Sequence, residues 1–430
     1  MKKSSFLIPC LFLLFFTISS VEVSAQPMVK SVSLEKEENL PDVSSIDAFI
    51  QEHVDNGMIP GGTFYIAHKG KVIYHKSVGN KYPGVSYANS DIYRIASMTK
   101  AITTVAIMQL YERGKLKLDD PIEKYIPAFA ETNVLDKVNP VDSSFTTLQR
   151  EGSITIRQLL THTSGIYYGQ FEGGDRQAAH IKSGVDNFGL AAPGMNTIQM
   201  AELIAKAPLG HQPGSQWTYG LNMEVLGAVV EVISEMSLDD YFDQYIFDPI
   251  GMENTAFNLP ESKHQHIVPL YTYDENGKLK IDETDIWMYP ALPDEDCHFG
   301  GGGLASTAED YGLFVQMLLE KGKSKGGRII SRHTAELMTT EQIAHLNMKG
   351  KGMAQLPGLS FCLGHSLVTP MGAGYGPHKP GTYSWGGYFN SKWWVDQEEE
   401  LIFVGMTNVL PFPYPEFWDK LYPIIYATLD

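Results

Sequence analysis

The chain has 430 residues with 43% hydrophobic, 11% aromatic and 19% charged side chains. This is enough for a sizeable core without disulfide or metal staples, and the composition excludes a disordered or fibrous protein. A formal charge of -17 argues against a nucleic-acid backbone or an anionic lipid surface as the main partner.

Lys2 and Lys3 form a short basic head, Phe6 to Ile18 is almost wholly apolar, and Val23-Ser24-Ala25 places small residues at alternate positions. This is the pattern of a cleaved export signal over 1–25, with an apolar run too short to span a bilayer comfortably. The expected product starts near Gln26 and is periplasmic or extracellular, with no membrane span and with Cys297 and Cys362 as its thiols. An oxidising compartment would permit these two to pair, and the sequence leaves that open.

Residues 26–43 read as a polar, acidic N-terminal arm. From Ser45 to about Asn56, Ile46, Phe49, Ile50 and Val54 share one helical face. Gly61 to Lys69 and Lys71 to Val78 are two strand-like runs on either side of a Lys69-Gly70 turn and read as a hairpin. A helix is expected from Ser97 to about Glu112, carrying Ile102, Val105, Ala106, Met108 and Leu110 and stopped by Gly114. The middle reads as mostly helix and loop, including Ile198 to Lys206 and Asn222 to Ser237. A further helix spans Thr307 to Leu319, strand signals return at 382–389, 391–396 and 401–408, and a closing helix begins near Pro415.

Strands at both ends with helices between them predict an α+β fold. In it, one antiparallel sheet is built from the N- and C-terminal segments and flanked by helices. The expected partition is a sheet region of 44–127 and 296–430 with a mostly helical region of 128–295 inserted, together one catalytic module.

The first chemistry-bearing pattern is Ser97-Met98-Thr99-Lys100. Residues three apart share a helical face, so hydroxyl and amino group can meet, and a desolvated Lys can activate a Ser. At a helix start the Ser97 N–H lacks an intrahelical partner and can face an oxyanion. The pattern alone is weak, since Ser33 and Lys36 repeat it among solvated charges, and local sequence favours a helix-start role for Ser97 over a nucleophile. Tyr219, after the Pro213-Gly214 turn, can point its hydroxyl into a cleft, although alone it reads better as a core aromatic. Gly386 and Gly387 within Ser384-Trp385-Gly386-Gly387-Tyr388 mark a bulge or a close backbone approach, where the Tyr388 N–H could be a second oxyanion donor.

Taken jointly and in order, these pieces resemble the serine β-lactamase-related hydrolases of the class C type. That family includes β-lactamases, D-alanyl carboxypeptidases, D-amino-acid amidases, esterases and acyltransferases. The resembling stretches are GGTFYIAHKGKV at 61–72, the run 93–127 containing SMTK, ITIRQLLTHTSGI at 154–166, PGSQWTYGLNMEVLGAVVE at 213–231, GGGGLASTAEDYGLFVQML at 300–318 and SWGGYFNSKWWVD at 384–396. The resemblance implies the β-lactamase/penicillin-binding-protein fold, an acylated Ser97, Lys100 as its Lys, Tyr219 as the second-motif Tyr, oxyanion donors at Ser97 and Tyr388, and no cofactor or metal.

Two departures stand out. Asn222 falls one place later than the Asn of the Tyr-x-Asn motif, and Trp385-Gly386-Gly387 replaces the Lys-Thr-Gly or His-x-Gly that borders the substrate cleft. Both point to the esterase and transesterase branch. The expected activity is an ester or amide hydrolase working through a Ser97 acyl-enzyme, most simply an esterase or acyltransferase on a small ester, amide or β-lactam. The alternatives are a β-lactamase, D-alanyl carboxypeptidase or D-amino-acid amidase, and a catalytically inactive binding or sensor protein.

Blander roles are expected elsewhere. His162 reads as structural, and His264 and His266 lack ligand-spaced companions for a metal. Gly300 to Gly303 lacks the end of a phosphate loop and reads as backbone near the site or tight packing. Trp393, Trp394, Phe412, Tyr414 and Trp418 read as acyl pocket or, at least equally, as core.

Overall fold

The computed structural model describes residues 35–36, 41–185, 194–284, 290, 297–346, 358–374 and 378–429. The signal segment, Ser33 and most of the arm lie outside the described residues. The main sheet contains β1 (Glu35–Lys36), β2 (Gly61–His68), β3 (Lys71–Tyr82), β4 (Leu359–Phe361), β5 (Ser366–Val368), β6 (Tyr383–Gly387), β7 (Ser391–Asp396) and β8 (Leu401–Met406). Its order is β1-β3-β2-β8-β7-β6-β5-β4, with the short strand Val85–Ser86 also paired to β3. Every pairing is antiparallel except β1 beside β3, so part of the expected arm adds an edge strand instead.

The two ends of the chain meet at the centre of this sheet. β8 pairs β2 with Phe403 opposite Ile66 and Leu401 opposite His68. The strands alternate between two apolar layers. Phe64, Ile66, Trp394 and Phe403 join one, against α1 (Ser44–Asp55) and the C-terminal helix; Tyr65, Ala67, Trp393 and Val404 join the other, against the central helices. This two-sided burial explains why β2 reads as a continuous apolar run. Each fully buried large side chain here contributes about 1.5–3 kcal/mol.

The central helices are α2 (Thr99–Glu112), α3 (Asn222–Ser234) and α4 (Ala308–Leu319); α5 (Glu416–Ala427) closes the chain. Thr307 caps α4 by accepting from Asp310 N, which fixes its predicted start. α2 begins two residues later than expected, because Ala96–Met98 forms a 3₁₀ turn first. The middle segment also holds two hairpins that periodicity missed, Val134–Val138 with Phe145–Leu148 and Tyr271–Tyr273 with Leu279–Ile281. The strands at Val134, Phe145 and Leu279 are half-buried or exposed along most of their length, so they lack a clean apolar alternation. Cys362 is a buried thiol, not half of a disulfide with Cys297; its Sγ donates to His365 O. No helix of the described residues is long and apolar enough to cross a membrane.

His365 is fully buried between Tyr383 and Trp393, and neither ring nitrogen has a hydrogen-bond partner among the described residues. Burial pushes it down to about 3, and pushes His180 to about 4 and His378 to about 3. The unfolded chain therefore takes up these protons first, so stability is full above pH ~6.5 and is lost toward the folded values, at up to about 1.4 kcal/mol per pH unit for each histidine. Asp243 and Asp310, raised to about 6, oppose this between their folded and unfolded values. In urea titrations at pH 7 and pH 5, His365→Leu is expected to weaken the acid-side loss of stability and to be relatively more stable at pH 5.

Candidate active site

Ser97 sits on a strained turn. Ala96, immediately before it, has φ +43°, a conformation that costs a non-glycine residue of order 1 kcal/mol and persists only when its surroundings hold it. Ile95 N donates to Leu304 O at 3.0 Å, and the Tyr311 hydroxyl of α4 donates to Met98 O at 2.8 Å, clamping the turn on both sides. Gly387 abuts the same turn. A Cβ there would lie 2.4 Å from Ile95 O and 2.2 Å from Ser391 Oγ, so β6 can approach the nucleophile turn only with glycine at this position.

Lys100, in the first turn of α2, is fully buried. Its Nζ lies 3.1 Å from Ser97 Oγ, 3.2 Å from the Tyr168 hydroxyl and 2.5 Å from Gly301 O. It also stands over the Tyr219 ring, 5.0 Å from the centroid. The Tyr219 hydroxyl donates to Ser97 Oγ at 2.7 Å. Ser97 Oγ is thus contacted at once by two groups able to move a proton. Gly300 and Gly301 run alongside α2, where Thr103 Oγ1 donates to Gly300 O at 2.5 Å. The four-glycine run is backbone packed against the site, as read from the sequence.

Behind these groups lies a second layer. Glu224, on the first turn of α3, is 3% exposed, and its Oε1 accepts from Tyr168 at 3.4 Å. Burial pushes its carboxyl up, while nearby Lys100 opposes that shift. His162 is fully buried with φ +54°; burial first, then Lys100, hold its imidazole well below the ordinary range and therefore neutral. Its Nδ1 accepts from Asn222 Nδ2 at 2.8 Å, its carbonyl accepts from Thr218 N, and its ring packs 4.8 Å from that of Tyr219. His162 is thus a strut for the Tyr219 loop, in keeping with the structural role expected of it. Asn222 also receives a short hydrogen bond from Ser164 Oγ, so its amide is occupied in the core.

Residues 46–421 match the sequence profile of the family described as beta-lactamase. The chain belongs to that family. An uncharacterized protein of Mycobacterium tuberculosis is 32% identical over 377 residues, covering 85% of this chain and 89% of the relative. Esterase EstB of Burkholderia gladioli is 27% identical over 383 residues, covering 84% and 89%. Among solved structures, EstCE1, a hydrolase with promiscuous acyltransferase activity, superposes with TM-score 0.75 at 24% identity over 89% of this chain and 98% of its own. Simvastatin synthase of Aspergillus terreus gives 0.74 at 22% identity over 90% and 98%. The protein is a serine hydrolase of the beta-lactamase family, with the β-lactamase/penicillin-binding-protein fold.

The cleft of this beta-lactamase-family protein has a volume of about 1160 Å³. Ser97, Tyr219, Trp385, Gly386, Gly387 and Tyr388 all line it, so the structure brings the sequence-predicted residues to one place, with Lys100 directly beneath Ser97. The aromatic candidates divide differently. Trp393 and Trp394 are core residues of opposite sheet faces, Trp418 belongs to α5, Phe412 packs on Phe417 of the same helix, and Tyr414 packs on Tyr273; none of the five lines the cleft. His264, in the turn Glu261–His266, bonds through Nε2 to Leu259 O just before that turn.

Sequence reasoning missed Tyr168 and Glu224. Glu224 had a usable signal, a single carboxylate inside the apolar helix run Asn222–Val230. Tyr168 had none, because its neighbour Tyr167 looks identical and only the fold decides which ring turns toward Lys100. Replacing Tyr168 by Phe removes one of three oxygen partners of the Lys100 amino group, an interaction worth about 1–3 kcal/mol. The rate of Ser97 phosphonylation by a fluorophosphonate, followed by intact mass, is expected to fall by roughly one to two orders of magnitude, with the thermal midpoint lowered by only a few degrees.

Proposed function

We propose that this protein is an exported esterase or acyltransferase that works through a Ser97 acyl-enzyme. The observation that carries the reading is the double contact on Ser97 Oγ, from Tyr219 at 2.7 Å and Lys100 at 3.1 Å. Export rests on the N-terminal leader pattern; Edman sequencing of protein recovered from outside the cytoplasm should start near Gln26.

As Ser97 Oγ bonds to the carbonyl carbon, its proton passes to the Tyr219–Lys100 pair. The carbonyl oxygen becomes an oxyanion, received by the N–H groups of Ser97 and Tyr388, both on the cleft wall. Collapse breaks the bond to the leaving alcohol or amine, which takes the held proton. Water, or a second alcohol, then gives a proton to the same pair and attacks the acyl-enzyme, releasing acid or a new ester and restoring Ser97.

Two features favour an ester over a β-lactam or D-alanyl peptide. Asn222, the nearest amide after Tyr219, is bound to Ser164 and His162. Trp385, 5% exposed and 5.5 Å from the Tyr219 ring, brings an apolar wall to the place where lactamases of the class C type carry a cation.

Intact-mass analysis after fluorophosphonate treatment should show one adduct that Ser97→Ala lacks, and turnover of 4-nitrophenyl acetate should vanish in the same variant. Nitrocefin should be cleaved far more slowly than the ester. Rapid nitrocefin cleavage would move the reading to a β-lactamase, and no adduct at all would make the protein a silent binder.

A further inference from the structure

The cleft has a cation that the proposed chemistry does not use. Lys392, on β7, lies opposite Gly386 of β6 on one side and Gly405 of β8 on the other. The space over Gly405 is taken by the Trp418 indole, which a Cβ there would meet at 2.6 Å. The Lys392 stem leans the other way, with its Cδ 3.6 Å from where a Cβ on Gly386 would stand, and it lines the cleft with Gly386 and Gly387. Gly387 in turn abuts Ile95 beside Ser97. The nucleophile turn and Lys392 therefore flank the same two-glycine stretch of β6.

The other cations near the cleft are engaged. Arg176 pairs with Glu172 at 2.6 Å and donates to Gly210 O, and Lys100 has its three oxygens. Outside the backbone ladder, the Lys392 amino group has no hydrogen bond or ion pair among the described residues. Of the groups around it, His378 is held neutral by burial, and Asp419 on α5 favours its charge from beyond hydrogen-bond reach. Burial itself pushes the Lys392 amino group down, so an anion arriving in the cleft would replace hydration that the site has removed.

We propose that Lys392 is a specificity residue that receives a carboxylate of the substrate, making the preferred substrates esters that carry a free carboxylate. This rests on the esterase or acyltransferase reading above. It places the substrate-gripping cation one strand away from the third motif, where Trp385 has displaced it, with Gly386 as the window through which the ammonium reaches the cleft.

Two matched pairs of esters put the carboxylate on either side of the scissile bond: 4-acetoxybenzoate with its methyl ester, and mono-4-nitrophenyl adipate with its methyl ester. The quantity read is the ratio of kcat/KM for the anionic ester to that for its neutral partner. In at least one pair Lys392→Met is expected to lower this ratio about tenfold or more, while Lys392→Arg keeps most of it. Raising the salt from about 0.05 to 0.5 M should narrow the wild-type ratio toward that of Lys392→Met. Lys392→Gln serves if the Met variant does not fold. Equal ratios in wild type and variant for both pairs would overturn the proposal and leave the hydrolase reading intact. Failure of wild type on all four esters, with no Ser97 adduct, would instead sink the hydrolase reading. In that case calorimetric titration with adipate decides Lys392 separately: binding lost in Lys392→Met upholds the anion site, and binding unchanged or absent in wild type removes it.

Discussion

A lysine amino group with no exposure to water must find oxygen partners inside the protein, and the rest of the site is organised by that demand. Lys100 Nζ takes a hydroxyl from its own turn at Ser97, a phenol from Tyr168 and a backbone carbonyl from Gly301. These come from segments separated by 68 and 201 positions, so the middle of the chain and the approach to α4 must both close on α2. Glycine at 301 follows from the same closure, since a Cβ there would lie 2.2 Å from Glu224 Oε1. The buried carboxyl, the phenol and the glycine run form one packed unit, and the reactive Ser97 oxygen lies at its solvent-facing end.

Much of this was legible in the sequence, for identifiable reasons. The hairpin at 61–78 and the strands after 382 declare themselves because burial on both faces leaves short, nearly continuous apolar runs broken by turns, and α4 because its Thr307 cap precedes an apolar helical run. Ser97, Lys100 and Tyr219 emerged because their order and flanking motifs resemble a family, while each alone was ambiguous. What stayed hidden depended on tertiary placement. β4 and β5 are three residues each, too short to carry a period, and the two middle hairpins have mostly exposed or half-buried strands. The late start of α2 reflects a positive φ at Ala96, which nothing local in Arg94-Ile95-Ala96 announces and which contacts from Leu304 and Tyr311 sustain.

The Trp385-Gly386-Gly387 stretch unites several of these constraints. Trp385 turns toward Tyr219 and supplies an apolar wall, Gly387 admits the backbone of the nucleophile turn, and Gly386 lies beneath the Lys392 stem. The turn that follows is anchored from outside the site: Asn390, at φ +56°, accepts from the Trp418 indole of α5 at 2.7 Å and donates to Thr407 at 2.8 Å. The position of Tyr388, and with it one wall of the cleft, is therefore referred to the last helix of the chain.

That the two chain ends meet in the sheet also sets the order in which the enzyme can come into being. β2 has β3 as its partner almost at once, but its other edge is satisfied only by β8, more than three hundred residues later. Until that strand arrives, the N-terminal hairpin is an apolar ribbon with an open edge, and α2 lacks the sheet that α4 packs against. Closure across so long a stretch of chain costs loop entropy before the contacts it makes can repay it. Ser97, Lys100, Tyr168, Tyr219 and Gly301 all precede β8, but the β6 wall that abuts the nucleophile turn belongs to the sheet that β8 joins to the N-terminal hairpin.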